Sequence, residues 1–560
     1  MKKADYIRLM DRVLDAYSAE HIDRFYGEVK EHGIKEHGFP RVVANIGILL
    51  SHGKRLYLKE KFKEMMDFTT ENLIHCKKNM LCSGGNEFSV REICLSLREV
   101  ERAKLFSDEV IANWKENLKR IVPATCYTDL AVTRNDLKFN WALFGAVSEQ
   151  ARKIMKLASE DDFIELQTAT QLLRIDVNGM YEDALENPPM VYDIVPRMLF
   201  SLLLTLGYEG EHKKAICELL EKSSEPTLKM QSVTGELAFG GRSNGFLHNE
   251  CVFSALLEFY ASWYKKKGNT EKSNRFKGAA HRAVEKLSEY LSYERITHVK
   301  NRFDITSSYG CEDYAYFDKY MITSASMLFN AYLMCDDDIE VVEEEVEPYV
   351  YLTAPKFHKA FLRCGDYFAE IELEADSHYD ASGIGRLHKK GAPSEICLSF
   401  PGTKNPSYYI GRENKLGMSL AAGHKDGENS FYALTGKTKY EVVKTESAKD
   451  YVFCELSCRF ENGTVIKEEI KLTKDGLKVH LEGKGELLFM LPAISTDGEK
   501  EGKANPDGEK LTVEYRGHKC LYTVNGKIRN TGEIVGNRSG LYGIFEAYGK
   551  DKLDISVVIE

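Results

Sequence analysis

Residues 335–348 read CDDDIEVVEEEVEP, and the apolar spacing of the chain changes on either side of them. Upstream the spacing is helical, as in Val252, Ala255, Leu256, Phe259 and Trp263, or Ile194, Met198, Phe200, Leu203 and Leu204. Those positions line one face of a helix with 3.6 residues per turn. Downstream the period is two. YFAEIELEADS, GTVIKEEIKLT and LKVHLEG alternate, and the turn dipeptides Asn462-Gly463, Asp475-Gly476 and Asn525-Gly526 separate strands. The acidic, proline-ended stretch itself reads as a linker or an exposed connecting strand. The fold class predicted is multidomain, α then β: helices over 1–335, an acidic linker over 336–348, and an antiparallel β-sandwich over 349–560.

The helical part divides into about twelve helical segments, and a polar loop precedes every second one. The loops are KEHGFPR before Val42, SGGNEFSVRE before Ile93, TRNDLKFNW before Ala142, YEDALENPPMVYD before Ile194, GGRSNGFLHNE before Cys251 and SSYGCEDYAYFDKY before Met321. The first four recur at roughly 50 residues, the length of a helical hairpin, and the last two are spaced a little wider. Six hairpins closing on themselves predict an (α/α)6 toroid. Its inner helices then all begin at one rim, where the six loops converge and the helix N-termini favour an anion. Polar residues before helices also serve as caps, and Ser243 or Asn244 fits that role. Capping does not explain why the enrichment follows alternate helices, or why Arg, His, Tyr and Trp join it.

Composition narrows the function. Hydrophobic content of 43% and charged content of 29% are those of a globular protein. A net charge of −10 supplies no cationic excess for a nucleic-acid surface. No apolar run reaches membrane-spanning length. The N-terminus, MKKADYIRLMDRVLDAY, reads as an amphipathic helix with Tyr6, Leu9, Val13 and Ala16 on one face, not as a signal peptide. The 13 cysteines include no C-x-x-C pair, and Cys454 and Cys458 read as small apolar residues of one strand face. Without an export signal, N-x-[ST] at Asn462 and Asn537 is a chance match. The expectation is a cytoplasmic protein with no nucleic-acid and no membrane partner, and its size and acidity are compatible with a homodimer.

The loops carry no phosphate-binding or dinucleotide fingerprint. Aromatic faces with amides and guanidinium groups suit sugars, and Arg242, Arg134 and Arg197 match a carboxylate fork to fork. A uronic-acid-containing oligosaccharide or glycoside is therefore the ligand class expected. Hydrolysis needs two carboxyl groups about the scissile bond. Glu250, Asp313, Glu312 and Asp193 are the candidates, with Asp136 and Glu87 behind them. Elimination needs a base and a group that neutralises the uronate carboxylate. Tyr192, Tyr314 and His248 are candidate bases, and Asn135, Asn140 and Asn244 candidate neutralisers. Asn249, Trp141 and His388 complete the expected substrate contacts. Each residue also has a structural reading: Glu250 and His248 as loop contacts, Asp193 as a cap, Tyr314 and Tyr316 as packing. Arg242, between glycines with no acid close in sequence, is the foremost binding candidate. No cofactor and no metal is expected; His32 and His37 lack ligand spacing, and His358, His378, Asp380 and His388 read as surface residues between strands.

SGGNEFSVRE, NDLKFNW, YEDALENPPMVYD, GGRSNGFLHNE and, in the β half, YDASGIGRLHKKGAPSEICLS resemble the heparinase II/III-like toroid-plus-sandwich enzymes, and within them glycoside hydrolase family 154, of β-glucuronidase activity. The resemblance implies a cleft where toroid and β-domain meet. It places Asn140 where the group's lyases neutralise the uronate and Tyr192 where they carry a tyrosine base. Some members hold a zinc in the β-domain, and many such hydrolases invert configuration. The loop-like composition of GIGRLHKKGAPSE would send Arg386 or His388 over the rim into the cleft. The expected activity is exo-hydrolysis removing glucuronate, with β-elimination second and a non-catalytic glycan-binding protein third.

Overall fold

The structure is a computed structural model and describes residues 1–75, 85–158, 161–342, 346–436 and 438–560. Ser83 and Gly84 of the second loop and residues 343–345 of the acidic stretch lie outside them. The helices are α1 (Lys3–Leu14), α2 (Ala19–His32), α3 (Gly38–Ser51), α4 (Lys59–Asn72), α5 (Asn86–Arg102), α6 (Asp108–Lys119), α7 (Pro123–Cys126), α8 (Trp141–Ile154), α9 (Asp161–Leu172), α10 (Met190–Thr205), α11 (Lys213–Lys229), α12 (Leu247–Lys266), α13 (Thr270–Leu291) and α14 (Phe317–Met334).

Two kinds of helix follow from two kinds of sequence. α3, α5, α8, α10, α12 and α14 bury nearly all their residues, whereas α1, α2, α6 and α13 keep a polar face in solvent. A helix apolar around most of its circumference must be covered on all sides. The six buried helices cover one another in a closed cycle: α3 packs on α5, α5 on α8, α8 on α10, α10 on α12, α12 on α14, and α14 on α3. Outer helices brace the cycle, the amphipathic α13 against α12 and α1 against α14, and α9 against α8.

The ring helices run in one direction. Near their starts, Arg41 of α3 donates to Glu92 of α5 at 3.0 Å and to the Thr323 hydroxyl of α14. His37, Phe88 and Trp141, at the starts of α3, α5 and α8, form a run of ring contacts with centroids 4.9 and 5.2 Å apart. Near their ends, Gln150 of α8 donates to the Leu206 carbonyl beyond α10, and Ser262 of α12 to the Met334 carbonyl of α14. The described residues of the six polar loops therefore open on one rim. No described helix is long and apolar enough to cross a membrane.

The β half holds two antiparallel sheets. The smaller is β1 (Tyr349–Leu352), β2 (Lys359–Cys364), β3 (Tyr367–Glu372) and β4 (Gly383–Lys389), in that order. The larger is built from β5 (Ala422–Asp426), β6 (Asn429–Tyr432), β7 (Lys439–Ala448), β8 (Tyr451–Arg459), β9 (Val465–Thr473), β10 (Gly476–Thr496), β11 (Lys503–Asp507), β12 (Lys510–Tyr515), β13 (His518–Val524), β14 (Lys527–Gly536) and β15 (Leu541–Ile559). Its main order is β11-β12-β13-β15-β10-β9-β8-β7, with β14 on β15 and β5 on β10. Asn462-Gly463, Asp475-Gly476 and Asn525-Gly526 stand at the β8–β9, β9–β10 and β13–β14 turns.

The small sheet lies between the helical half and the large sheet. Ala360, Leu362 and Cys364 join the core shared with Val452, Ile470 and Leu472 of the large sheet. Phe361 and Phe368, which point the other way, pack with Met180, Met190 and Met230 of the helical half. Alternation with period two thus serves two cores at once, and it leaves β2 and β3 almost wholly buried. Arg386 and His388, expected on a loop over the rim, lie instead on β4, a buried strand. Arg386 donates to Glu370 at 3.0 Å, and His388 is bonded to Ser232 and Ser399.

Candidate active site

The loop 240–245 enters the rim between the two halves. Gly240, Gly241 and Gly245 have φ of 141°, 74° and 76°, and Ser243 between them has φ of 57°. Three glycines accept such angles freely, but a serine there costs about 1–2 kcal/mol and persists only when its surroundings hold it. Here they do. The Ser243 N–H donates to Glu312 Oε1 at 2.7 Å, the Gly241 N–H to Asp380 Oδ2 at 2.7 Å, and Asn249 Nδ2 to the Ser243 carbonyl at 3.1 Å.

The contorted backbone delivers the Ser243 hydroxyl between two phenols. Its Oγ is 2.9 Å from Tyr192 Oη and 2.8 Å from Tyr314 Oη, and either partner can be the donor in each bond. Tyr320, from the start of α14, brings a third phenol against Tyr192 and Ser243. The chain of hydroxyls spans α10, the 240–245 loop and the segment before α14. Tyr314, at 38% exposure, is its solvent end. Burial lifts Tyr192 above the ordinary phenol range, opposed by the Arg242 guanidinium 4.7 Å over its ring. Burial and the neighbouring Tyr192 and Glu312 push Tyr314 far above it. All members of the chain are therefore neutral hydroxyls at neutral pH.

Arg242 is not the unpartnered cation that its sequence context predicts. It donates to Asp183, a fully buried carboxylate whose Oδ1 also accepts from Asn140 Nδ2 at 2.8 Å. Arg242 keeps about a third of its side chain in solvent. Asn140, expected as a neutraliser, is 2% exposed and serves Asp183. Trp141 is half-buried with its edge on Phe88.

The predicted acids separate by their partners. Asp193 and Arg197 are fully buried and paired with each other, and Arg197 also donates to Thr227, so neither is open to solvent. Glu250 accepts from Lys300 Nζ at 2.5 Å and from the Leu237 N–H at 3.2 Å. Glu312 accepts both terminal nitrogens of Arg538, at 2.7 and 3.2 Å. Glu87 is buried beneath the Thr128 and Asp129 N–H groups, and burial raises its carboxyl to about 7. Asp136 caps its own turn through Val132 and Thr133. Asp313 alone among these acids is exposed, and its side chain makes no hydrogen bond to the described residues.

His248 is 4% exposed, packs against Phe246 and Tyr320, and is driven down to about 3 by burial and by Arg41, so it is a neutral imidazole. Asn244 is buried and donates to the Ala238 carbonyl, while Asn249 caps α12 through the Phe246 N–H. Arg134 pairs with Glu211, and it and Asn135 are exposed. His358 and His378 pair with Glu374 and Asp376. Among the described residues the single group with metal-ligand proximity is Glu165, Glu211 and His212, remote from the hydroxyl chain in the contacts it makes.

Four contributors escaped the sequence reading. Ser243 looked like a cap; Tyr320 closes the sixth loop and was not singled out; Asp183 lies in a loop with three other acids. Arg538 sits in GNRSG, the turn between β14 and β15, where a long cation amid turn residues was the available signal.

No protein-family model matches this chain, and no curated protein matches it. Solved structures do. A heparinase III is similar at a TM-score of 0.48 and 9% identity, over 92% of this chain and 77% of its own. A heparan sulfate lyase from Pedobacter heparinus is similar at 0.33 and 9%, over 90% and 75%. A glycosyl hydrolase of family 88 from Bacteroides vulgatus is similar at 0.39 and 10%, over 60% and 99%. At these identities and TM-scores the functional reading rests on the geometry of the site.

Proposed function

We propose that the chain is an (α/α)6-toroid enzyme that cleaves an acidic carbohydrate, a uronoside, by β-elimination at the rim where the helical half meets the β half. The observation that carries the proposal is the hydroxyl chain Tyr192–Ser243–Tyr314, beside the partly exposed Arg242 guanidinium. Hydrolysis, the first expectation from sequence, needs two working carboxyl groups. Glu250, Glu312 and Asp193 are each bonded to a cation, which favours elimination.

In this mechanism the uronate carboxylate lies against Arg242, which acidifies the proton on C5. The chain then moves one proton without charging any member. Tyr192 Oη takes the C5 proton as it passes its own to Ser243 Oγ. Ser243 passes its proton to Tyr314, and Tyr314 gives its own to the oxygen leaving C4. The C5–H and C4–O bonds break, a C4=C5 double bond forms, and no water is consumed. A relay of neutral hydroxyls suits phenols whose ionisation burial has suppressed, because none has to exist as a phenolate.

The test is incubation with uronate oligomers and, separately, with a chromogenic β-glucuronide. Elimination gives the ultraviolet absorbance of a conjugated double bond in the first case, and phenol release in the second marks hydrolysis. A second reading, hydrolysis, has one observation in its favour: Asp313 is exposed and, among the described residues, unpaired at the same rim. Release of saturated sugars only would favour it over the relay.

A further inference from the structure

The relay needs Ser243 in a left-handed conformation that serine resists, and what holds it there comes from the opposite half of the molecule. Arg538, between β14 and β15, is 4% exposed and reaches into the helical half. Its Nη1 donates to the Gly310 carbonyl at 3.0 Å and to Glu312 Oε2 at 3.2 Å. Its Nη2 donates to Glu312 Oε1 at 2.7 Å and to the Gly241 carbonyl at 3.4 Å. Glu312 Oε1 is the same atom that accepts the Ser243 N–H. The guanidinium rests on the Tyr408 ring, with its carbon 4.1 Å from the ring centroid. The turn that carries it is itself fixed, because Asn537 Oδ1 accepts from the Ser539 and Gly540 N–H groups and Asn537 Nδ2 donates to the Phe400 carbonyl.

We infer that Arg538 is a positioning residue for the reaction: through Glu312 it sets the Ser243 backbone, and so the spacing of the hydroxyl relay. The inference rests on the relay reading for its kinetic consequence, though not for its structural one. A planar fork is needed because two carboxylate oxygens and two carbonyls are bonded at once, which one ammonium group cannot reproduce. It also gives the β half a part in the chemistry: the helical half alone would hold every hydroxyl and lack the clamp that aligns them.

The experiment uses the full chain with Arg538→Ala and Arg538→Lys, the second keeping the charge where the first fails to fold. Amide hydrogen exchange over residues 240–245 reads the clamp without any substrate. Exchange there should rise at least about tenfold in either variant while α12 and α14 stay protected. With uronate oligomers, kcat should fall about a hundredfold with KM within about threefold, because an alignment present only for reaction is lost. Adding Ser243→Ala to either variant should cost little more, since both act on one element. Unchanged exchange over 240–245 in a folded variant overturns the inference, as do an unchanged kcat and a loss that adds in full to that of Ser243→Ala. A wild-type chain that eliminates no uronate would sink the relay reading, and the exchange result would still decide the link from Arg538 to Ser243.

Discussion

Replacing Tyr314 by phenylalanine removes one oxygen and leaves the ring, and the structure sets what this should cost. The lost contact is the 2.8 Å bond to Ser243 Oγ, made by a side chain 38% exposed. A neutral hydrogen bond of this kind contributes about 1 kcal/mol net. Against a stability of about 5–15 kcal/mol, that loss leaves on the order of one molecule in a thousand unfolded at worst. Any large fall in rate is then chemical. If Tyr314 hands its proton to the leaving oxygen, its removal should lower kcat by about 10²- to 10⁴-fold, or about 3–5 kcal/mol of barrier. The assay is the initial rate of double-bond formation from a uronate oligomer. A companion substrate sharpens it: a uronate with a nitrophenyl ether at C4, whose leaving oxygen needs no proton. With that substrate the variant should keep most of its rate. A variant within about threefold of wild type on the oligomer, or one that loses equally on both substrates, would refute the assignment of Tyr314 as proton donor.

Three further outcomes follow from the geometry. Asp313→Asn should leave the elimination rate within about threefold, because the carboxylate touches no member of the relay; a loss of about a hundredfold or more would transfer the chemistry to a carboxyl mechanism. Asp193→Asn should destabilise the protein by about 3–5 kcal/mol in denaturant unfolding, since it leaves Arg197 buried without its counter-ion; an unchanged transition would contradict the fully dry pair. Glu468 lies in the large-sheet core with Cys458 as its one hydrogen-bond partner among the described residues, and burial raises its carboxyl from 4.5 to about 7. The folded state therefore holds the proton that the unfolded state releases, and stability falls as pH rises from about 4.5 to 7, by on the order of 3 kcal/mol. Glu468→Gln should match wild type at pH 4.5 and exceed it at pH 8; parallel curves across that range would contradict it.

The course of the chain was legible because period and turn chemistry are local. Alternate polar loops do lead into the six ring helices, and the first described strand is Tyr349–Leu352. GIGRLHKKGAPSE misled: its glycines and lysines look like a loop, yet Gly383–Lys389 is a strand buried on both faces. The site was legible only as a set of residues near one rim. Tyr192 and Tyr314 do meet there, but their meeting point, Ser243, reads locally as a helix cap. Partner choice is what sequence hides. Arg242 finds its acid 59 positions away in Asp183, Glu250 its cation 50 away in Lys300, and Glu312 its fork 226 away in Arg538. Nothing in the spacing of these residues records a pairing made by ring closure or by the docking of the β half. Pairing nonetheless decides which acids are free to act.

In the relay, the proton lost from C5 is matched by another that Tyr314 delivers to the departing oxygen, and no water is consumed. This balance is tested most directly by mass spectrometry of the products formed from one defined uronate oligosaccharide in ¹⁸O-labelled water. The relay predicts fragments whose masses sum to that of the substrate, with no label and an unsaturated sugar at the new non-reducing end. Fragments together heavier by one labelled water would contradict it.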